Sequence, residues 1–448
     1  MISGASPALR LYVMVNDSRP LIAIIGMGYV GLSLAKVVAF AGLPVRGIDS
    51  NIEKVLAING ASSPLVDVSS VDIENMLAQG FVASNNFEDI RDADVIVLAL
   101  PTPVGEDHQP DLGALRSAVR SAAPFRRDHQ LWILESTVLP GVTEEVILSE
   151  LLSTSFDAEN SPLLAYSPER VNPGSSTQDL TMIPKVVAGI DDESLAEAVS
   201  FYTRVGFEVV PAASIREAEA AKLLENTYRA VNMALVNDLA QQFSKAGIDF
   251  LEVVRLAETK PFGFEAFWPG PGVGGHCIPV DPWYLQSYLR LHAKESAVTA
   301  VALEVNRKMP HQTARRVADI VFSEVVAGDG PQFSMTVMGM SYKKDVNDFR
   351  ESPGPTVVKS LLDLGISVSY HDPFLSAAIP GLEGASWIEA SALANEVADT
   401  VLILQEHSQY LGLEDSLLRN RLLISAAPGA PRLGKSIWAP RGVTHDAS

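Results

Sequence analysis

The segment that most narrows what this chain can fold into is Gly26-Met27-Gly28-Tyr29-Val30-Gly31. A short apolar run, Leu21–Ile25, leads into it. A stretch with helical periodicity, Tyr29–Ala41, grows out of it and stops at Gly42. The next apolar run, Pro44–Asp49, ends on a carboxylate about 20 residues beyond the glycines, the spacing of a strand–turn–helix–strand unit. Gly26 permits the tight turn, Gly28 lets the backbone approach a pyrophosphate, and Gly31 lets the helix pack on the strand. The helix N-terminus, where Tyr29 and Val30 stand, then faces the phosphates. Asp49 would accept from a ribose 2′-hydroxyl and repel a 2′-phosphate, which points to NAD rather than NADP. The competing reading is a Rossmann turn without a ligand.

The rhythm continues. Val95–Leu100 and Leu131–Leu134 read as further strands, the first ending at Pro101 and the second leading into Glu135-Ser136-Thr137. Strands alternating with helices predict an α/β fold, a doubly wound parallel sheet with helices on both faces. The middle differs: Arg216–Ala246 and Asp281–Met309 each read as one long helix, around a loop rich in Gly, Pro and aromatics, Pro261–Pro279. After Pro310 the α/β pattern returns, with strands at Met335–Met340, Ile366–Tyr370, Thr400–Leu404 and Leu422–Ser425 and a helix at Pro355–Leu364. The expectation is therefore two Rossmann-like domains, 20–213 and 310–427, joined by a helical central region, 214–309. An extension (1–19) precedes them and a Gly/Pro-rich tail (428–448) follows.

Charge and cysteine content exclude several roles. Among 448 residues, 34 Lys and Arg stand against 54 Asp and Glu, a net charge of −20, which argues against a nucleic-acid partner. The single cysteine, Cys277, excludes an intramolecular disulfide and multi-cysteine metal centres. The eight histidines are scattered, with no spacing suited to a transition metal, so no metal is expected. Leu21–Val45 is apolar but broken by glycines. With no secretory pattern at the N-terminus, the reading is a cytoplasmic protein without a membrane span.

Cys277 is the residue with most chemical potential. A lone cysteine is ordinarily a small buried hydrophobe. This one sits in Gly270-Pro271-Gly272-Val273-Gly274-Gly275-His276-Cys277-Ile278-Pro279-Val280-Asp281, just before a helix start that favours a thiolate, with His276 and Asp281 nearby. Lys222 and Asn226 share one face of the first long helix, a spacing that by itself describes a solvated surface. Ser167-Pro168-Glu169-Arg170 forms a loop after an apolar segment. Lys343, Lys344, Asp345, Asp348, Arg350 and Glu351 crowd the end of the strand Met335–Met340, where open α/β sheets bind ligands.

Taken together these segments resemble the UDP-glucose/GDP-mannose dehydrogenase family of nucleotide-sugar 6-dehydrogenases. The glycine turn, Pro101-Thr102-Pro103, Glu135–Gly141, Ser167–Arg170, Lys222–Asn226, Gly274–Cys277 and Tyr342–Asp345 with Arg350–Pro353 occur in the family's order, from about Leu21 to His407. The resemblance implies NAD on the first domain, UDP on the second, and a homodimer built on the central region. It implies a four-electron oxidation of a sugar C6 alcohol to the carboxylate by two NAD⁺. Cys277 would carry a thiohemiacetal and then a thioester, and Lys222 and Asn226 would hold the C6 oxygen. Asp281, Glu169 and Thr137 would order and activate the hydrolytic water. Asp49, Lys54, Thr102, Thr137, Glu169 and Arg350 match positions that contact NAD. Phe267, Gly274 and Lys343 match substrate positions. Gly-Gly-His-Cys-Ile-Pro-Val-Asp-Pro with Lys260-Pro261-Phe262-Gly263-Phe264 is similar to the N-acetylhexosamine branch, with UDP-N-acetylglucosamine ahead of UDP-N-acetylmannosamine. Val142, Ala230 and Ser425-Ala426-Ala427 depart from the family pattern. The rival readings are a UDP-glucose 6-dehydrogenase, a two-electron hydroxyacid-type dehydrogenase, and an NAD-binding sensor.

Overall fold

The computed structural model describes residues 19–440 except 66–67, 106, 154–161, 171–179, 276, 293, 325–332, 412, 414–420, 430 and 432. The expected N-terminal extension and His276 therefore lie outside the described residues, the extension up to residue 18. The chain divides into two compact units. One comprises the described residues through Glu225 with Trp283–His292, the other Asn226–Pro282 and the rest from residue 294.

The first unit is built on β1 (Ile22–Ile25), α1 (Tyr29–Phe40), β2 (Val45–Ile48), α2 (Ile52–Asn59), α3 (Ser70–Ala78), β3 (Val82–Ser84) and β4 (Val95–Leu98). It continues through α4 (Gly113–Ala122), β5 (Leu131–Leu134), α5 (Leu148–Leu152), β6 (Leu163–Tyr166), β7 (Lys185–Gly189), α6 (Asp192–Val205) and β8 (Val209–Pro211). All four residues of β1 are buried, because helices cover both faces of the sheet. Ile22 and Ile24 pack with Leu32, Ala35 and Val38 of α1, whereas Ala23 and Ile25 pack with Leu115 and Val119 of α4. The strand order is β3-β2-β1-β4-β5-β6-β7-β8, parallel except where β7 runs against β6. That reversal brings the first residue of β7, Lys185, to the rim formed by the carboxyl ends of β5 and β6.

The long helices follow. α7 runs from Ile215 to Lys245, as its uninterrupted periodicity predicts, and α8 covers Phe250–Glu258. The expected single helix Asp281–Met309 is instead two, α9 (Asp281–His292) and α10 (Ala297–Glu324). Ser296 accounts for the restart, since its hydroxyl accepts the amide of Thr299. Nor does α10 end at Pro310. It carries the proline inside it and continues to Glu324, because Met309, Ala314, Val317, Ala318 and Val321 bury one face against the second sheet's core. The α/β pattern thus resumes later than the proline suggests.

That second sheet contains β9 (Ser334–Met338), β10 (Ser367–His371), β11 (Ser386–Trp387), β12 (Thr400–Ile403), β13 (Leu422–Ser425) and β14 (Lys435–Ser436), with α11 (Pro353–Asp363) and α12 (Leu393–Glu396). Its order, β11-β10-β9-β12-β13-β14, is parallel throughout and reproduces the first six positions of the other sheet. The stretch expected to be a tail supplies β14, and Leu433, Ile437 and Trp438 are buried beside it. The reading as a tail fails there because a two-residue strand among Gly and Pro leaves no periodic signal.

Candidate active site

In the first unit the glycine turn has the geometry its sequence requires. A Cβ on Gly31 would sit 1.9 Å from the carbonyl oxygen of Gly26, and one on Gly26 would sit 2.3 Å from that of Ala99. Above Gly28, the residue preceding α1, a Cβ would meet nothing within 4 Å, which is open space where a diphosphate needs room. Tyr29 and Val30 open α1. Asp49, almost buried at the end of β2, accepts the amides of Met27 and Asn51 at 2.9 Å each. Lys54 donates to it at 2.6 Å. The cradle and the carboxylate fit a dinucleotide. Farther along the rim, Thr102 donates to the carbonyl of Thr137 at 2.8 Å, tying the loops after β4 and β5, and Tyr284 of α9 donates to the carbonyl of Thr102.

Glu169, in the loop after β6, belongs to a buried charge cluster. Its Oε2 accepts from Lys185 at 2.7 Å and its Oε1 from the amide of Arg170 at 2.6 Å. Lys222 Nζ donates to its backbone carbonyl at 2.6 Å. Lys185 also pairs with Glu135 at 2.8 Å, and the Tyr202 hydroxyl donates to the same Glu135 oxygen at 2.6 Å. Burial pushes the Glu169 carboxyl upward. The charge and hydrogen bond of Lys185, the amide of Arg170 and the charge of Lys222 outweigh it and hold the group below the ordinary carboxylate range. Glu135 goes the other way, raised by burial and by Glu169 against the pull of Lys185. The reading from sequence singled out neither Glu135 nor Lys185. The available signal was a lysine heading the apolar stretch Val186–Ala188.

The second unit holds the thiol. Gly275 has a left-handed φ of +81°, and a Cβ on Gly274 or Gly275 would meet the Tyr342 side chain at 2.6 Å and 2.9 Å, so only glycines fit. The Gly275 amide donates to the carbonyl of Arg350. Cys277 is half-buried, and its carbonyl accepts the amides of Val280 and Asp281, forming the turn that starts α9. Asp281 is buried, and its carboxylate accepts from the side-chain amide of Asn226. Burial, then the charges of Asp348 and Cys277, push the Tyr342 hydroxyl up to about 12.

Arg350 grips Asp348, with Nη2 at 2.6 Å. Lys343 is half-buried in the loop after β9, whose shape is fixed by Ser341 and Gln405 donating to the carbonyls of Lys343 and Tyr342. Phe267 packs edge-on against Tyr228 at 6.0 Å. Ala230, one of the departures, is buried, and its carbonyl accepts from Asn306 at 2.9 Å. The structure thus gathers the glycine turn, Asp49 and Lys54, pairs Thr102 with Thr137, and joins Glu169 to Lys222 in one unit. In the other it gathers Cys277, Asp281, Asn226, Gly274 and Arg350.

Family models match most of the chain: the NAD binding domain of the UDP-glucose/GDP-mannose dehydrogenase family over 20–205, its central domain over 216–308, and its UDP binding domain over 336–427. The chain belongs to the UDP-glucose/GDP-mannose dehydrogenase family. The dehydrogenase is 31% identical over 405 residues to a UDP-N-acetyl-D-mannosamine dehydrogenase of Methanocaldococcus jannaschii, covering 89% of this chain and 88% of that one. It is 31% identical over 422 residues to a UDP-N-acetyl-D-glucosamine 6-dehydrogenase of Pseudomonas aeruginosa, covering 93% and 94%. Among solved structures it resembles a UDP-D-ManNAc dehydrogenase from Pyrococcus horikoshii, with a TM-score of 0.80, 26% identity and coverage of 93% and 99%. The dehydrogenase is accordingly an NAD-dependent oxidoreductase of nucleotide sugars. No helix among its described residues is long and apolar enough to cross a membrane.

Proposed function

We propose that this enzyme oxidises the C6 alcohol of a UDP-N-acetylhexosamine to the uronate, with UDP-N-acetylglucosamine ahead of UDP-N-acetylmannosamine. The observation that carries the reading is a chain of bonds around the thiol. The carbonyl of Cys277 accepts the amide of Asp281, and the Asp281 carboxylate orients Asn226, one turn along α7 from Lys222. A lone thiol whose own turn carries the aspartate that orders Asn226 suits capture of an aldehyde, which a two-electron dehydrogenase or a sensor does not need. Gly26, Gly28, Gly31 and Asp49 would hold NAD, whose chemistry is to accept a hydride.

Lys222 and Asn226 stabilise the negative charge on the C6 oxygen as the first hydride leaves. The Cys277 thiol adds to the resulting aldehyde carbon, forming a C–S bond as the C=O π bond breaks, and its proton passes to the C6 oxygen. Loss of a second hydride from that carbon, with the hydroxyl proton released to solvent, leaves a thioester. Water attacks that carbon while Glu169 takes its proton, with Thr137 and Asp281 ordering the site. The C–S bond breaks, the sulfur takes the product's remaining proton to restore the thiol, and the carboxylate leaves. Lys343, Phe267 and Gly274 serve the substrate, and Lys54, Thr102 and Arg350 the cofactor. The working form is a cytoplasmic homodimer joined through the central helices.

The test is the NADH formed per sugar under limiting UDP-N-acetylglucosamine or UDP-N-acetylmannosamine, read by absorbance, with C277S beside the wild type. Two NADH per sugar, and no uronate from C277S, are expected. One NADH per sugar, or uronate from C277S at the wild-type rate, sinks the covalent route.

A further inference from the structure

Lys185 is only 3% exposed, and its ammonium lies between two carboxylates, 2.8 Å from Glu135 and 2.7 Å from Glu169. It also lies 5.3 Å and 5.8 Å from the ring centres of Tyr202 and Phe207, within cation–π range. Such a group is expensive to bury, and packing alone would accept an apolar residue there. Its position depends on the one antiparallel junction in the first sheet. Had β7 run parallel to β6, its first residue would stand at the opposite edge from Glu169.

We propose that Lys185 is the positioning residue for Glu169, and that Glu135 and Tyr202 in turn hold Lys185 in place. The proposal rests on the reading of Glu169 as the group that accepts a proton from the hydrolytic water. Oε2 of Glu169 is fixed by Lys185 and Oε1 by the amide of Arg170, so the carboxylate cannot rotate. Each oxygen keeps a further lone pair for water. The charged groups around Glu169 are Lys185 from β7, Lys222 from α7 and Glu135 from the end of β5; Arg170 pairs with Glu225. Burial by itself would protonate Glu169 and remove the base, and Lys185 is the main group opposing this. Glu135 balances the second side of the ammonium, so Lys185 is not drawn wholly onto Glu169.

The test compares K185M, K185R and E169Q with the wild type, using NAD⁺ and whichever of UDP-N-acetylglucosamine and UDP-N-acetylmannosamine turns over faster. K185M should lower kcat roughly tenfold to hundredfold, up to the lower end of what complete loss of general-base catalysis costs, since the Glu169 carboxyl itself remains. KM for the UDP-sugar should stay within about twofold, since no side chain assigned to hold the sugar nucleotide is altered. The acid limb of the kcat profile should move up by about one pH unit or more. K185R, which keeps the charge, should return the limb toward its wild-type place. If K185M does not fold, E135Q/K185M removes the second buried carboxylate charge and should show the same displaced limb. A folded K185M with wild-type kcat and acid limb overturns the proposal. A slowed E169Q beside an unchanged K185M removes Lys185 alone, whereas a wild-type rate in E169Q removes the assignment of Glu169 and the proposal with it.

Discussion

The amide of Met340 donates to Asp372 at 2.7 Å, the bond that Met27 makes to Asp49 at 2.9 Å in the first sheet. The surroundings repeat as well. Gly339 and Gly26 both have positive φ and donate to the residue before the aspartate, His371 and Ile48. Phe374 and Asn51 both cap the other carboxylate oxygen. The third partner differs: Asp49 meets Lys54, which is partly exposed, and Asp372 meets the fully buried ring of His407. His407 also accepts the amide of Asp345 at Nδ1, so its Nε2 carries the proton it shares with Asp372. Burial pushes Asp372 up, but His407 and the amides of Phe374 and Ser341 hold it below the usual carboxylate range. The second sheet keeps the Rossmann frame while closing its aspartate to a ribose.

D49N should therefore weaken NAD binding by about 1.5–3 kcal/mol, the worth of a charged hydrogen bond. D372N should leave NAD affinity unchanged and lower the melting temperature. Calorimetric titration with NAD⁺ and thermal melts on both variants check this, and an unchanged dissociation constant for D49N would move the cofactor site elsewhere.

The glycines of the first turn separate into two kinds. G28A adds a methyl to open space and should fold with an unaltered melting temperature while losing NAD affinity. G31A drives a methyl into the Gly26 carbonyl and should cost roughly 1–3 kcal/mol of stability, as overpacking does. Equal melting temperatures for the two variants would contradict this division.

Glu219 gives a pH-dependent stability. It is fully buried on α7 and accepts from the amides of Gly141 and Thr143 and the Thr143 hydroxyl, yet burial raises its pKa to about 7. The folded state then binds the proton more tightly than the unfolded one. The contribution is complete below about pH 4.5 and is lost as pH rises to about 7, by up to about 3 kcal/mol. The melting temperature of the wild type minus that of E219Q should thus be larger at pH 5 than at pH 8. A difference independent of pH would show that Glu219 does not titrate in this window.

What could be read from the sequence followed from range. The glycine turn, α1 and Asp49 obey local rules, and the unbroken periodicity of α7 stands without tertiary help. Lys222 and Asn226 share a face through helix geometry alone, although only the fold supplies Asp281 and the Glu169 carbonyl as their partners. A lysine heading Val186–Ala188 was visible, but the place of Lys185 was not, because it depends on the direction of a strand, which no neighbouring residue encodes. Pro310 misled because the buried face of α10 outweighs the local cost of a proline. Ser296 was a legible cap that an otherwise helical pattern obscured.

Along α7, Leu224, Tyr228 and Leu235 are 65%, 50% and 54% exposed and lie on one stripe. Such a patch fits the proposed homodimer. L224E/L235E should shift the mass measured by light scattering from two chains to one. A wild type that is monomeric, or a variant that remains a dimer, would place the contact elsewhere or remove it.

The contact between Lys185 and Glu169 spans 16 residues of chain, and both ends start from the same rim of the sheet. It therefore acts as a clasp between the residues that follow β6 and the first residue of β7, without a covalent bond. Opening it would release the Glu169 side chain, while the pairing of Tyr166 with Ala188 would still hold the two strands together. The reversed strand thus makes the placing of one carboxylate depend on the charge of a single lysine.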